Sequence, residues 1–433
     1  MKNFINAGRG LGILFLSLLF AFNIAGAQNR ASYVGGDISL LPEYEKAGAQ
    51  YKDENGRTIK DLIPWCAEQG MNSMRVRVFV NPELYQQKYG NSSNPDLKYD
   101  PNACQTIESV VPLCKRIVDA GMALMIDFHY SDTWADPAKQ WTPIEWQGLT
   151  DAQLTDKIYD YTRSSLQLLK DNGITPSFIQ TGNEISYGML WGAPESGNPK
   201  KVYTNSTANW SRFAGFLHAA GKACREIFPD AKIVIHTERT AEPTVLSQYY
   251  QKIASRDIDY DIIGLSYYPY FHGSLSTLDN SLKALRRLNL PQQIMLVETG
   301  YSYKWAVPGT THDFSSTWPY TEAGQQKFAQ QLVELLIANE VTGLYWWWME
   351  YNAYNTKLSG WYNAPLFDST TGKVTAAFRT ICSFSHAYGS LTDQRLPEVE
   401  SGRWFDSLGR SVENPSTPGL YINSNGKKMM ITE

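Results

Sequence analysis

Short apolar runs of strand length recur along the chain, and segments long enough to form a helix separate them. This alternation is typical of βα units, in which parallel strands form a buried sheet and helices cover it. Eight such runs predict an α/β fold closed into a (β/α)8 TIM barrel; an open, doubly wound sheet is the alternative. No glycine-rich phosphate loop follows the first run, which disfavours a dinucleotide-binding open sheet. The predicted strands are Ser32–Gly36, Ser73–Val80, Ala123–His129, Ser177–Gly182, Lys232–Thr237, Ile262–Tyr268, Gln293–Thr299 and Gly343–Trp348.

The segments between the strands predict helices and long loops. Helices are expected, for example, over Cys104–Ala120 and Ala323–Glu340. Three long loops, 130–146, 185–210 and 301–320, follow predicted strand ends on the face where barrel enzymes build their active sites. Their tryptophans are predicted either to line such a site or to pack the loops onto the barrel as a hydrophobic lid. These tryptophans are Trp134, Trp141, Trp146, Trp191, Trp305 and Trp318.

Both ends of the chain lack this alternation of strand and helix segments. Residues 1–27 read as a signal peptide, with a basic start, an apolar stretch too short to span a bilayer and a small-residue cleavage site at Ala25-Gly26-Ala27. The barrel domain is therefore predicted to run from residue 28 to 385, with a linker at 386–402. Residues 403–433 form a small unit in which short strands joined by Gly and Asn turns are expected.

Charge and composition exclude some partners. The formal net charge is −4, and loss of Lys2 and Arg9 with the signal peptide would make it −6. A nucleic-acid partner is disfavoured because it would require a basic patch, and no stretch after residue 27 is long and apolar enough to cross a membrane.

Aromatic residues make up 13% of the chain. Flat aromatic faces stack on sugars, although aromatic residues are also ordinary core residues. Nothing in the sequence indicates the oligomeric state.

The cysteines do not predict a disulfide framework. Cys66, Cys104, Cys114, Cys224 and Cys382 form an odd and sparse set in a chain expected to be exported. At most two bridges could form, and the spacings match no zinc-binding pattern.

Two glutamates carry the predicted chemistry. Glu184 follows the fourth strand in Gly182-Asn183-Glu184, and Glu298 ends the wholly apolar seventh strand. Because parallel barrel strands deliver their last side chains to one rim, both carboxyls are expected at the same site. One protonated and one ionised carboxyl are the requirement for cleaving a glycosidic bond. Taken alone, Glu184 could instead be an acid placed at a helix N-terminus.

Other side chains at strand ends are predicted to support this pair. Arg75 and Arg77 share one face of the second strand, and the Tyr268 hydroxyl ends the sixth, so they could keep Glu298 ionised. Asn183 is expected to donate to a substrate hydroxyl. The same prediction places further residues at the site: His129 and His236 as hydrogen-bond donors rather than metal ligands, and Trp347 as the floor for a sugar ring, with Trp346 and Trp348 on the opposite face.

Several motifs together resemble glycoside hydrolase family 53, the endo-β-1,4-galactanases of clan A. The resemblance runs from about Tyr33 to Phe384 and is most specific in two places, a His-Tyr-Ser-Asp-Thr-Trp-Ala-Asp-Pro run and an Asn-Glu followed by Gly-Met-Leu-Trp. The matching segments are Gly36–Ser39, Asn72–Val78, Asp127–Pro137, Gly182–Glu184 with Gly188–Trp191, Ser266–Pro269 and Val297–Thr299.

The resemblance implies a retaining mechanism, with Glu184 as acid/base and Glu298 as nucleophile, and carboxyls roughly 5 Å apart. It implies internal cleavage of β-1,4-galactan, the side chain of pectic type I arabinogalactan, although mannan, xylan or a purely glycan-binding role are alternatives. By position it implies a subsite lined by Asn183, Arg77, His129, His236, Tyr268 and Trp347, with Trp134 and Trp191 beside it.

No cofactor is implied. Some bacterial relatives hold a structural calcium in the loop after the nucleophile. Here the corresponding loop, 301–320, has few oxygen ligands around Gly309-Thr310-Thr311-His312-Asp313, and calcium requires six to eight.

The C-terminal unit resembles the modules that Bacteroidetes append to exported proteins for sorting. It carries in order Trp404-Phe405-Asp406, Leu408-Gly409-Arg410, Pro418–Ile422 and Gly426–Ile431. The resemblance implies export to the periplasm, the cell surface or the medium.

Overall fold

A computed structural model describes residues 32–358 and 364–387, and four short strands between residues 404 and 431. The predicted signal peptide, 1–27, lies outside the described residues. So does the predicted linker, 386–402, apart from its first two residues. The predicted domain boundaries therefore stay predictions.

Eight parallel strands close into a barrel, which confirms the predicted fold. Each strand pairs with the next in sequence, and β1 also pairs with β8, so the sheet has no free edge. The strands are β1 Tyr33–Asp37, β2 Ser73–Val78, β3 Ala123–Phe128, β4 Phe178–Thr181, β5 Lys232–Thr237, β6 Ile262–Tyr267, β7 Gln293–Thr299 and β8 Gly343–Trp346.

Five predicted strands extend one or two residues beyond the C-terminal ends that the structure shows. Val80, His129, Gly182, Tyr268 and Trp348 all follow the last paired residue. Trp348 has a left-handed backbone (φ 54°), which a strand excludes. The predictions for β5 and β7 match the structure residue for residue.

Helices lie between the strands and pack against the outside of the barrel. The predicted helix from Cys104 begins later, because the side chain of Thr106 caps the helix through the Ser109 amide. The helices are α1 Leu41–Lys46, α2 Leu62–Glu68, α3 Pro82–Tyr89, α4 Ile107–Asp119, α5 Asp151–Asp171, α6 Trp210–Ile227, α7 Pro243–Ala254, α8 Pro269–His272, α9 Leu275–Arg286, α10 Glu322–Ala338 and α11 Ala376–Cys382.

The barrel interior is apolar towards the N-terminal ends of the strands and polar towards their C-terminal ends. Seven buried side chains fill its lower part, namely Met125, Phe178, Val234, Ile262, Met295, Val297 and Tyr345. At the next inward position of β3, β4 and β5, two residues further along, lie Asp127, Gln180 and His236, all fully buried. The alternation of side chains along a strand thus carries the interior from a packed core to a polar layer beneath the rim.

A β-bulge in β7 changes the direction of Glu298. Leu296 pairs with Leu265 and Glu298 with Ser266, so Val297 is the extra residue; the pairing of β7 with β8 skips in the same region. Regular alternation would turn Glu298 outward with Leu296. The bulge instead lets Val297 and Glu298 both face the interior, a known use of bulges beside active sites.

The remaining strands form a separate antiparallel sheet in the order β10-β9-β11-β12. They are β9 Trp404–Asp406, β10 Ser411–Val412, β11 Gly419–Asn423 and β12 Lys428–Ile431. They lie within the C-terminal unit, where the sequence predicts short strands.

Two further findings concern the described part of the chain. None of its helices combines the length and the hydrophobicity needed to cross a membrane. The five cysteines are all unbridged, and burial raises the pKa of the Cys114 and Cys224 thiols to about 12.

Candidate active site

The site is built on the buried guanidinium of Arg75 in β2. Its Nη2 lies 2.8 Å from Asp127 Oδ2, 2.9 Å from Glu298 Oε1 and 3.0 Å from Asn183 Oδ1. Burial alone would lower the pKa of Arg75, but Asp127, Glu298 and Asp37 outweigh it and raise that pKa. Arg75 is therefore a permanent cation that gathers side chains from several strands.

Glu298 is a nearly buried carboxyl held by two partners. Its Oε1 forms an ion pair with Arg75 without hydrogen-bond geometry, and its Oε2 accepts from the Tyr268 hydroxyl at 3.1 Å. Burial raises the pKa of Glu298 to about 7, with Asp127 and Asp37 adding to the rise; Arg75 and Tyr268 oppose it. The carboxyl is thus kept ionisable in a dry site by one cation and one hydroxyl.

Glu184 lies just beyond β4 on an unusual backbone. Its φ of 48° and ψ of 51° are left-handed, and Gly182 before it has φ 106°. Left-handed non-glycine residues are uncommon and cluster at functional sites. Only a single 3₁₀ turn, Ile185–Tyr187, follows, so Glu184 is not the N-terminal acid of a long helix. Its side chain faces the cleft instead.

The two glutamates titrate in a definite order. Burial raises the pKa of Glu184 well above its ordinary value, and the charges of Glu298 and Glu238 raise it further, while a hydrogen bond from Ser266 opposes them. Glu298, with Arg75 beside it, loses its proton first. Between the two steps the pair has one ionised and one protonated carboxyl, which is the state that glycoside cleavage requires.

Both carboxyls line one cavity of about 860 Å³ at the rim. Of the predicted site residues, this cavity brings together Glu184, Glu298, Asn183, Tyr268, Trp134 and Trp347. Asn183 donates through Nδ2 to Ala135 O at 2.8 Å, which fixes its amide against the rim. The remaining four predicted residues, Arg77, His129, His236 and Trp191, lie outside the lining.

His236 lies behind Glu184. Its Nε2 is 2.8 Å from Ser266 Oγ, and its Nδ1 faces Gln180 Nε2 at 3.1 Å and the amide nitrogen of Glu184 at 3.4 Å. Burial and the positive charge of Arg75 hold the pKa of His236 well below 6.5, so the imidazole is neutral. It positions the backbone of the acid rather than facing the cleft.

His129 is buried in the layer below. Its Nδ1 accepts from the amide of Ala135 at 3.1 Å, and its Nε2 lies 3.0 Å from Asp127 Oδ2. The imidazole therefore ties the loop after β3 to the polar layer, one level beneath the cavity.

Three tryptophans form one wall of the cavity around Arg77. The guanidinium of Arg77 lies 4.8 Å from the ring centre of Trp134, 5.1 Å from Trp347 and 5.2 Å from Trp348. Arg77 also contacts Asp37 Oδ1 at 2.5 Å. It thus supports the aromatic wall from behind.

Two tryptophan predictions need correction. Trp348 was expected to face away from Trp347, but both line the cavity, because β8 ends at Trp346 and the left-handed backbone of Trp348 breaks the alternation. Trp191, predicted beside the subsite, is 1% exposed and donates to Tyr187 O. It packs against Trp141 and supports a loop.

Sequence reasoning missed several lining residues: Asp100, Asn102, Glu238, Phe271 and His272. Asp100 accepts from the indole Nε1 of Trp134 at 2.8 Å, a contact across distant loops that no local pattern indicates. Glu238 could have been found, because it is an acid directly after β5, the same signal that singled out Glu184. Within the described ranges, no group of three or more His, Cys, Asp or Glu side chains is arranged to hold a metal ion.

Comparison with known proteins agrees with this geometry. The family model described as Glycosyl hydrolase family 53 matches residues 33–381. The chain belongs to glycosyl hydrolase family 53. Membership confirms the prediction of a glycosidase, and the family resemblance first inferred from the motifs.

Individual family 53 relatives cover most of the chain. The probable arabinogalactan endo-β-1,4-galactanase A of Neosartorya fischeri is 33% identical over 348 residues, 77% of this chain and 88% of the fungal protein. The solved GH53 catalytic domain of Ignisphaera aggregans has a TM-score of 0.68 at 27% identity and covers 82% of this chain and 96% of its own. A solved fungal β-1,4-galactanase has a TM-score of 0.66 at 28% identity, with 81% and 99% covered.

The Tyr268 hydroxyl should set the acidic limb of the pH profile of this family 53 enzyme. Tyr268→Phe removes a hydrogen bond that lowers the pKa of Glu298. We expect the acidic limb of kcat/KM to move to higher pH by about one unit, because a hydrogen bond to a charged group has that magnitude. Tyr267→Phe is the matched control, since the Tyr267 hydroxyl donates to Gly273 O away from the cavity. An acidic limb that moved equally in both variants would contradict this role.

Proposed function

We propose that this protein cleaves internal β-1,4-galactosidic bonds in galactan and type I arabinogalactan, with retention of configuration at the anomeric carbon. The proposal rests on one observation: the two carboxyls at the rim have different electrostatic surroundings. Glu298 is paired with a buried cation, and Glu184 is desolvated without one. Galactan is chosen because the Neosartorya fischeri relative and the solved fungal structure bear galactanase names.

In the first step, a carboxylate oxygen of Glu298 attacks the anomeric carbon of the sugar bound above it. The bond from that carbon to the glycosidic oxygen breaks, and the proton of Glu184 passes to this oxygen, so the leaving chain departs as a neutral alcohol. Arg75 and the Tyr268 hydroxyl hold Glu298 during this step. The product is a glycosyl ester on Glu298, and Glu184 is now ionised.

In the second step, Glu184 takes a proton from water as the water oxygen attacks the same carbon. The ester bond breaks, Glu298 recovers its charge and Glu184 its proton. Loss of the Glu298 charge in the ester lowers the pKa of Glu184, because that charge is its strongest electrostatic neighbour. One carboxyl can therefore act first as acid and then as base.

The aromatic wall supports a sugar subsite beside the two acids. Trp134, Trp347 and Trp348 line the cavity together with Asn183 and Tyr268. We propose that the indole faces pack on a galactose ring and that Asn183 contacts one of its hydroxyls. Arg77, His129 and His236 are assigned supporting roles, because they lie behind this lining.

A panel of polysaccharides tests the substrate and the nucleophile together. Wild-type protein should release reducing ends from β-1,4-galactan in preference to mannan and xylan. Glu298→Gln should abolish release while thermal unfolding stays cooperative, because the amide cannot form the ester intermediate. Glu334→Gln on the exposed face of α10 is the matched control. Galactan binding without release of reducing ends by the wild type would refute a hydrolase.

Two substrates whose leaving groups differ in their need for a proton should distinguish the role of Glu184 from that of Glu298. Glu184→Ala should lower kcat/KM on galactan by about 10²- to 10⁴-fold, the usual contribution of a general acid. The same variant should form the glycosyl ester almost normally from a dinitrophenyl galactobioside, whose leaving group needs no proton, and the burst of dinitrophenol measures this. An equal loss with both substrates would contradict the assignment of Glu184 as proton donor.

We also propose that the protein is exported after removal of residues 1–27, and that residues 403–433 act as a sorting module beyond a linker at 386–402. The sequence of the two ends is the support for this. Sequencing of the exported protein should give Gln28 as its first residue. An exported chain that still carried residues 1–27 would contradict the cleavage, and a chain retained in the cytoplasm would contradict export.

A further inference from the structure

A third acid, Glu238, lines the same cavity and has no part in the steps above. It follows β5 directly, and its side chain is only 8% exposed. Its Oε1 accepts a hydrogen bond from Ser186 Oγ at 2.5 Å. Its Oε2 is shielded from bulk water and finds no hydrogen-bond partner among the described residues.

The nearest cation does not satisfy this carboxyl. Arg239 Nη1 lies 4.0 Å from Glu238 Oε1, beyond hydrogen-bond range. The guanidinium of Arg239 is instead bonded to the Tyr187 hydroxyl and to the carboxylate of Glu242. Ser186 Oγ and the backbone amide of Glu238 itself hold the carboxyl, and neither hydrogen bond satisfies Oε2.

A buried acceptor without a partner is costly, and buried polar groups in folded proteins are nearly always hydrogen-bonded. Glu238 lines a binding cavity, and the missing partner of its buried acceptor is therefore explained when a ligand brings the donor. A neutral sugar carries hydroxyl groups that can do so and no charge that a carboxyl would repel.

The position of Glu238 indicates which sugar this is. Ser186, whose hydroxyl holds Glu238, lies two residues after Glu184 in the same turn. Glu238 thus lies on the side of Glu184, the proton donor. The sugar on that side is the one that departs with the glycosidic oxygen.

We propose that Glu238 is a specificity-determining contact, which accepts a hydrogen bond from a hydroxyl of the leaving-group sugar, a neutral hexopyranose. The inference rests on the proposed function, because it needs Glu184 to be the proton donor. It predicts that the protein discriminates between leaving groups with and without hydroxyls.

Two substrates and three variants test this contact. Galactan supplies a leaving sugar; benzyl β-galactobioside supplies a leaving alcohol that also requires protonation but has no further hydroxyl. Glu238→Leu should lower kcat/KM on galactan by about 10- to 100-fold, as loss of a hydrogen bond to a charged group implies. On the benzyl substrate it should change little. Glu238→Gln, which keeps an acceptor oxygen, should retain most activity on galactan.

Glu334→Leu is the control, an exposed acid of α10 that does not line the cavity. Glu238→Ala replaces the leucine variant if leucine prevents folding. Equal losses on both substrates would overturn the proposal and show that Glu238 acts only through Glu184. Unchanged activity of Glu238→Leu on galactan would also overturn the proposal, because no sugar hydroxyl would then depend on this acceptor. A wild type inactive on galactan would refute the proposed function, and the same comparison would then be made with whichever β-1,4-glycan it cleaves.

Discussion

The buried guanidinium of Arg75 is the interaction on which the site depends. It lies within 3.4 Å of side chains that follow or belong to β1, β3, β4 and β7, among them Asp37, Asp127, Asn183 and Glu298. Each of these groups would be costly to bury alone, and the cation makes their burial tolerable. Burial and the same charge together lower the pKa of His236, and the charge limits the rise that burial causes in the pKa of Glu298. One side chain thus acts on the protonation of several groups in the polar layer.

The chemistry of the two glutamates comes from surroundings rather than residue type. Glu298 has Arg75 and the Tyr268 hydroxyl on its two oxygens, while Glu184 has other carboxyls as its main charged neighbours. Desolvation raises the pKa of both carboxyls, and the cation and the tyrosine hydroxyl at Glu298 distinguish it from Glu184.

Much of the fold followed from pattern, because strand length and spacing are local properties. The eight strands and the strand-end positions of Glu184 and Glu298 were predicted on that basis. The direction of Glu298 was not, since regular alternation turns it outward and only the bulge at Val297 brings it inside. Trp348 and Trp191 were misplaced for similar reasons. One depends on a left-handed backbone and the other on packing between distant loops, and neither leaves a local signal.

Glu298 belongs to β7 and Glu184 lies three residues beyond the end of β4, and these two strands are not neighbours in the closed sheet. The separation of the two acids is consequently set across the barrel mouth by the positions of two strand ends. The tryptophan-bearing loops around the rim can then lengthen, shorten or change composition over evolutionary time while this distance stays constant. Substrate specificity can therefore change through the loops while the two acids keep their positions. The rim loops are for the same reason the part of the protein in which new specificities could be designed.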